Sequence, residues 1–338
     1  MIAYTLRRIG LAGFVSLGVV LLTFAIGRIV PGDPAGAWAG PRAGPEQRER
    51  IREELGLDAP VPEQFVTYIW GVLRGDWGVS VRTHRPVLED LSILLPNTFQ
   101  LVFAGLFLGV LLGVPAGLLA AHCHNRLPDF GIRLGGLLGA AMPVFWLALM
   151  LQLLFSSNLG WLPINGIYDR SVENAYPLSE VTGAPVVDSL ITGNWPMFLS
   201  SLEHLILPAI VVAAYPFAIV TRIVRANVLD TLGEGHIQLT RALGFSESAV
   251  LGRFALRSAW NPVLQVSALI FGSSLVNTFL VESVFTYPGL GNYAAAAAKV
   301  QDIPAIVGVT LLVALCYLAA NLAVDLLHAA LDPRIRLR

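Results

Sequence analysis

The sequence predicts an all-α fold, an integral membrane bundle of six transmembrane helices. Of its 338 residues, 55% are hydrophobic and only 13% are charged, whereas soluble domains average about 25% charged residues. Asp, Glu, Lys and Arg are absent from six long stretches: 9–27, 98–121, 134–155, 205–221, 258–281 and 303–324. Each is close to the roughly 20 residues with which a helix crosses the bilayer core. Strands are excluded because unpaired backbone groups are costly in lipid.

With their flanking residues, these stretches predict six spans in one transmembrane domain, 1–338. The spans are 9–30, 98–121, 132–155, 203–223, 261–284 and 303–326. Arginine is concentrated in alternate short connections, and such connections lie on the cytoplasmic side. Both termini are therefore predicted to be cytoplasmic, and the first span is favoured as an uncleaved signal anchor because it is longer than a signal-peptide core.

Two long segments are predicted outside the cytoplasm, 32–97 and 156–200. Within the first, residues 45–55 predict a short helix that begins at Pro45. Residues 62–74 predict an amphipathic helix at the membrane interface, which either caps the bundle or meets an external partner. The second segment is rich in Asn, Gly, Pro and Ser, and its length favours either a function or an insertion.

The cytoplasmic connection 224–260 is far longer than a turn requires. Ile237 and Arg241 share one face of a predicted short helix, and Gly244 is typical of the residue that ends one. Ser246 is a good N-cap for a second helix, with Glu247 at its positive end. The pattern predicts two short helices around a glycine, either a docking surface for a soluble partner or an elbow packed against the bundle.

Motifs of nucleotide and hydrolase sites are absent from the sequence. It has no phosphate-binding G-x-x-x-x-G-K-[ST], no G-x-S-x-G and no H-E-x-x-H. His122-Cys123-His124 is better explained as a helix end than as a metal site. Ionisable residues fall at the span edges, whereas an ion-coupled carrier needs a titratable group at mid-membrane. The energy for any transport is therefore expected to come from elsewhere than an ion gradient, and no basic tract suggests nucleic acid.

Short motifs follow one another along nearly the whole chain: Leu6-Arg7-Arg8, Phe24 through Arg28 to Pro31-Gly32-Asp33-Pro34-Ala35, Leu55-Gly56-Leu57-Asp58, Arg74-Gly75-Asp76-Trp77-Gly78, Arg85-Pro86-Val87, Leu95-Pro96-Asn97-Thr98, Trp161-Leu162-Pro163, Leu207-Pro208, Tyr287-Pro288-Gly289-Leu290-Gly291 and Asp332-Pro333-Arg334. In their order and spacing they resemble the first permease subunit of the dipeptide/oligopeptide (and nickel) ABC importer family. The connection 224–260 resembles the EAA-type coupling loop of ABC permeases. It departs from that pattern at Gln238-Leu239-Thr240, where Glu-Ala-Ala is usual.

The resemblance implies a type I ABC importer permease in the bacterial cytoplasmic (inner) membrane, and not an enzyme. Its implied partners are a second homologous permease, two cytoplasmic ATPases, an extracytoplasmic substrate-binding protein and membrane lipid, with no nucleic acid. No cofactor is implied for this chain, because ATP and Mg belong to the ATPases. Peptides are the implied substrate, with nickel, haem or glutathione as alternatives. An ion-coupled carrier is disfavoured by the empty span interiors.

Two groups of site residues are expected. The ATPase-coupling loop is expected to use His236, Ile237, Arg241, Ala242, Gly244, Phe245, Ser246, Glu247 and Val250. Polar residues on the spans are candidates for the translocation path, although hydrogen bonding between helices explains them equally well: Gln100, Gln152, Ser273, Ser274, Asn277 and Thr278. No catalytic or metal-binding residue is expected.

Overall fold

The computed structural model describes residues 2–29, 44–54 and 59–331. Within them the fold is all-helical, and the one β-type pairing is an isolated bridge between Val79 and Pro86. The motifs at Pro31–Ala35, Leu55–Asp58 and Asp332–Arg334 lie outside the described residues. The helices are α1 Ile2–Ile29, α2 Pro45–Glu54, α3 Val61–Arg74, α4 Val87–His122, α5 Leu127–Ala141, α6 Val144–Leu151, α7 Arg170–Ala175, α8 Pro185–Ile191, α9 Trp195–Leu232, α10 Gly235–Ala242, α11 Glu247–Ala249, α12 Leu256–Val284, α13 Leu290–Lys299 and α14 Ile303–Leu331.

Among the described residues, four helical segments are long and apolar enough to cross a membrane: α4, α9, Glu247–Val284 and Ile303–Ala323. A fifth span results if α5 and the helix 144–158 are counted together. The remaining predicted span corresponds to α1, whose described apolar part is the shorter Ile9–Ala25. By this criterion of length and composition, the described residues contain four or five membrane-spanning helices.

The predicted span 132–155 differs from a single helix because the chain bends by 108° between α5 and the following helix. Met142 has an extended backbone (φ −70°, ψ 136°), and α6 begins directly after Pro143. Proline lacks an N–H and disfavours helical geometry in the residue before it, so the break falls at this pair. Beyond Leu151 the helix continues as a π-helical turn, Gln152–Asn158.

The described chain divides into two compact units, and the first combines Met1–Pro96 with Pro288–Arg338. Its core includes Val87, Leu91 and Tyr293. Two buried carboxylates organise the polar side. Asp302 accepts hydrogen bonds from Ser80 Oγ at 2.5 Å and from the backbone N–H of Arg82 at 3.1 Å. Asp90 accepts from Tyr293 OH at 3.0 Å and contacts Arg85 Nη2 at 2.7 Å. Burial of a carboxylate requires such compensation, which hydrogen bonds provide for Asp302 and for Oδ2 of Asp90, while Oδ1 of Asp90 relies on the ion pair with Arg85.

The second unit, Asn97–Tyr287, is built on the close packing of α4 and α9. Four glycines spaced four residues apart on α4 face α9: Gly105, Gly109, Gly113 and Gly117. A Cβ on Gly109 would lie 2.5 Å from Cβ of Pro216, and one on Gly117 would lie 2.7 Å from Cβ of Val224. Only glycine therefore permits this approach, in the manner of small-residue packing in membrane helices.

The predicted outside loop 156–200 is folded around α7 and α8 within this second unit. Asp188 is fully buried and accepts hydrogen bonds from the backbone N–H groups of Val181, Thr182 and Gly183 and from Thr182 Oγ1. Burial alone raises the pKa of Asp188, but these hydrogen bonds outweigh it and leave the pKa below its ordinary range. The loop is thus an ordered element.

Candidate functional site: the coupling elbow

The segment 235–255, called the coupling elbow below, connects the two long helices α9 and α12. As the sequence predicts, it contains two short helices around a glycine. Gly244 has φ +83° and donates its N–H to the carbonyl of Arg241 at 3.0 Å, directly after α10. Ser246 caps α11, its Oγ accepting the N–H of Ala249 at 3.4 Å. A left-handed glycine followed by an N-cap is the geometry that ends one helix and starts another.

One face of the elbow is buried in the bundle. Ile237 and Val250 are both fully buried and belong to a core cluster with Val228 of α9 and Val263 of α12. Val250–Ala255 is π-helical, whereas the sequence pattern predicts an ordinary α-helical turn there. These two residues therefore anchor the elbow to the long helices.

The opposite face is exposed and partly apolar. Leu239 is 60% exposed, Leu243 68% and Phe245 46%. Such neighbouring exposed apolar side chains are typical of an interaction site. Arg241 and Glu247 form a two-point ion pair across the glycine, with Nε–Oε1 at 2.8 Å and Nη2–Oε2 at 3.3 Å.

Beside this face lies an open recess of about 460 Å³, lined by His236, Phe245, Arg253, Phe254 and Arg257. The rings of Phe245 and Phe254 meet edge to face with centroids 5.3 Å apart. His236 Nδ1 lies 3.1 Å from Glu234 Oε2. The recess therefore combines an aromatic wall with two arginines at the surface of the elbow.

An ion pair that no local sequence pattern indicates joins α9 to α5, ten residues before the elbow in the chain. Arg225 of α9 donates from Nε and Nη2 to the two carboxylate oxygens of Asp129, at 2.7 and 2.8 Å. Arg225 Nη2 also lies 3.1 Å from His124 Nδ1, so the His-Cys-His sequence takes part in a helix-end contact. The sequence does not predict this pair, because the two residues are 96 positions apart and no local pattern connects them.

Two of the six candidate path residues make hydrogen bonds that organise the fold. Gln100 donates to Tyr287 OH at 2.8 Å and accepts the N–H of Val186 at 2.9 Å. Gln152 donates to the carbonyl of Ile164 at 2.6 Å. Both residues therefore hold the segment 156–200 against the bundle.

The other four candidates lie together on α12 and differ in exposure. Ser273 and Thr278 donate to carbonyls of their own helix. Ser274 and Asn277 line a cavity of about 180 Å³ with Tyr215, Met142 and Val281.

A buried hydrogen bond also joins α4 to α12. Thr98 Oγ1 donates to Glu282 Oε1 at 2.7 Å, and Glu282 is fully buried. The sequence shows that Glu282 directly follows the charge-free stretch 258–281, but it does not indicate that Thr98 is its partner.

The family model described as "Binding-protein-dependent transport system inner membrane component" matches residues 113–337. The model of its N-terminal region, "Binding-prot-dependent transport system membrane comp, N-term", matches residues 1–102. The chain belongs to this family. It is an integral membrane permease of the bacterial inner membrane with several apolar spans, as the resemblance of its motifs implied.

Curated relatives resemble the permease over nearly its whole length. The Probable D,D-dipeptide transport system permease protein DdpB of Escherichia coli K12 is 40% identical over 94% of this chain and 93% of that protein. The Dipeptide transport system permease protein DppB of the same strain is 37% identical over 99% of each chain. The Oligopeptide transport system permease protein AppB of Bacillus subtilis is 34% identical, again over 99% of each chain.

A solved chain in inward-facing conformations of the MetNI methionine ABC transporter covers 81% of the permease and 100% of its own length. Its TM-score is 0.48 at 13% identity, a likeness too low to compare individual contacts.

Proposed function

We propose that this permease forms half of the translocation path of an ATP-driven ABC importer of di- or oligopeptides and docks a cytoplasmic ATPase through its coupling elbow. The observation that carries the docking role is the exposed apolar group Leu239, Leu243 and Phe245 on an elbow anchored by buried Ile237. The substrate class follows from the peptide permeases that align with nearly the whole chain.

The proposed topology has six spans and both termini in the cytoplasm. The sixth span is α1, whose 28 residues measure about 42 Å at 1.5 Å per residue, more than the roughly 30 Å of hydrocarbon. Arginines of the elbow and of the connection between α4 and α5 then lie on the inner side, as the positive-inside rule expects.

In this assembly the ATPases bind ATP and Mg and perform the hydrolysis, and this chain transmits the movement. When the ATPases close, they displace the exposed face of the elbow. Because Ile237 and Val250 are packed between α9 and α12, displacement of the elbow moves both long helices as a rigid body. A second permease completes the path, and a binding protein delivers substrate from outside.

The translocation path is proposed to run along the α12 side that bears Ser274 and Asn277. These two candidates line the 180 Å³ cavity, whereas Gln100 and Gln152 are engaged in structural hydrogen bonds. Small and polar side chains at this position suit a path that peptides of varied sequence pass without tight binding. Nickel, haem or glutathione uptake would use the same machinery.

The test is uptake into liposomes that contain the permease, co-expressed and purified with the products of its neighbouring genes. We expect labelled dipeptide to accumulate only when two conditions are met. ATP must be present on the side of the membrane where the ATPases are bound, and the binding protein must be present. Competition by longer peptides, nickel, haem and glutathione identifies the substrate class. Uptake by this chain alone under an ion gradient, or ATP hydrolysis by this chain alone, would overturn the proposal.

A further inference from the structure

Helix α3 packs against the C-terminal part of α1 through one of its faces. The ring of Phe24 lies 5.2 Å from Phe65 and 5.7 Å from Tyr68, measured between centroids. The Tyr68 hydroxyl is 3.3 Å from Thr23 Oγ1. Burial raises the pKa of Tyr68 above its usual value. One side of α3 therefore has a defined protein neighbour.

A second face of α3 is apolar and exposed. It consists of Val66, Trp70 and Leu73, called the outer stripe below, which are 53%, 56% and 70% exposed. Their spacing of four and three residues puts them on one face of the helix. Soluble proteins seldom leave such a stripe uncovered, so an apolar environment is expected there.

A third face of α3 is polar. At 100° per residue, Glu63, Thr67 and Arg74 follow the outer stripe around the helix, and all three are exposed. Around the axis of α3, the face that contacts α1 is thus followed by the outer stripe and then by the polar face. This order is the one required of a helix that lies in the plane of a membrane interface beside a spanning helix, with lipid below it and water above it.

The height of α3 along α1 agrees with that environment. Phe24 precedes Arg28, the first charge after the apolar stretch 9–27, by four residues, which is about 6 Å of helix. Interfacial helices bury their apolar face roughly 5–10 Å into the boundary between headgroups and acyl chains. Arg74 lies over the Trp70 ring, 5.7 Å from its centroid. Tryptophan at this level, beside a cation that can reach the headgroups, is typical of membrane interfaces.

We propose that the outer stripe of α3 inserts into the lipid bilayer at the headgroup–acyl boundary and so fixes the height of the adjoining α1. The occupant of this face is lipid, because the helix on which α3 packs, α1, itself exposes apolar side chains close to the contact residues Thr23 and Phe24: Leu21 is 53% and Leu22 56% exposed. The inference requires only that the chain is an integral membrane protein, and it stands or falls separately from the peptide-import proposal.

The experiment places single spin labels on α3 of the full chain, purified with its co-expressed partners in lipid nanodiscs. In a background of Cys123→Ser and Cys316→Ala, labels are attached at Val66→Cys or Leu73→Cys on the outer stripe. The matched control is Thr67→Cys on the polar face. Collision rates are measured with oxygen, which concentrates in lipid, and with a water-soluble nickel chelate.

We expect the ratio of oxygen to nickel-chelate collisions at positions 66 and 73 to exceed the ratio at 67 severalfold. Equal ratios at the three positions would overturn the proposal, because water would then cover the stripe. Exclusion of both reagents at 66 and 73 would also overturn it, since protein would then be the occupant. These side chains are exposed, so each variant should keep the thermal unfolding midpoint of its parent. If one stripe variant does not fold, the other supplies the comparison.

Discussion

Arg241 and Glu247 face each other across Gly244, joined by contacts of 2.8 and 3.3 Å between guanidinium nitrogens and carboxylate oxygens. The pair connects the end of α10 to the start of α11, on either side of the left-handed glycine. Both side chains are substantially exposed, so the pair contributes little to stability. The pair joins the two short helices beside the exposed face of the elbow.

Reversing one charge of this pair is expected to reduce coupling without unfolding the protein. Glu247→Arg places like charges across Gly244, yet an exposed pair is worth only about 0–1 kcal/mol. ATP-dependent uptake should fall while the thermal unfolding midpoint stays near that of the parent. The exchanged variant, Arg241→Glu with Glu247→Arg, should recover part of the uptake. Full uptake by the single variant would show that the pair does not shape the docking face.

The two faces of the elbow should respond differently to truncation. Ile237→Ala removes a fully buried side chain and is expected to destabilise the permease by about 2–5 kcal/mol. Leu239→Ala, on the exposed face of the same helix, should change stability by no more than about 0.5 kcal/mol. Thermal or denaturant unfolding in one detergent measures both. Equal effects would mean that Ile237 does not anchor the elbow.

The sequence predicted the elbow well because its signals are local. Gly244 ends a helix and Ser246 starts one, and each acts through backbone groups within four residues. The sequence left open whether the elbow docks a partner or packs on the bundle. In the structure Ile237 faces the core and Leu239 faces solvent. Which of the two residues is buried depends on the positions of α9 and α12, and residues 235–255 alone do not predict it.

The glycines of α4 give a prediction on helix packing. Gly109→Leu is expected to destabilise the second unit by about 1–3 kcal/mol or more, because Cβ would lie 2.5 Å from Cβ of Pro216. Gly135→Leu on α5 is the matched control, since no heavy atom lies within 4 Å of its Cβ position. The unfolding midpoint in detergent should fall for the first variant and not for the second. A midpoint that is unchanged in Gly109→Leu would exclude close packing of α4 on α9.

The order of the outside loop is expected to depend on pH through Asp188. Its pKa is lowered in the folded protein, so its stabilising contribution is complete above the ordinary value of 3.8. That contribution is lost as pH falls below this value through the folded pKa. The hydrogen-exchange protection factors of residues 181–184, which correct for the intrinsic pH dependence of exchange, should therefore fall below about pH 4.

The control for this pH effect is Asp188→Asn, which removes the titrating group. The protection factors at 181–184 should then be low even at neutral pH and should no longer change with acidification in this range. Persistent protection of these amides in Asp188→Asn would contradict the assigned role of the carboxylate.

The candidate path was harder to predict from sequence than the spans. Charge-free stretches identify α4, α9 and α12, because hydrophobicity is a property of each segment. Gln100 and Asn277 look alike in sequence, yet Gln100 bonds Tyr287 and Val186 while Asn277 lines a cavity. Which polar residue is structural depends on partners distant in sequence.

The most direct test of the account is the amount of ATPase recovered with an affinity-tagged permease. Leu243→Asp puts a charge on the most exposed apolar side chain of α10 and its glycine turn, whereas Leu127→Asp alters a leucine that is 85% exposed at the start of α5, on the same predicted side of the membrane. We predict that Leu243→Asp loses most of the bound ATPase while Leu127→Asp retains the parental amount. A full complement of ATPase on Leu243→Asp would contradict docking through the elbow.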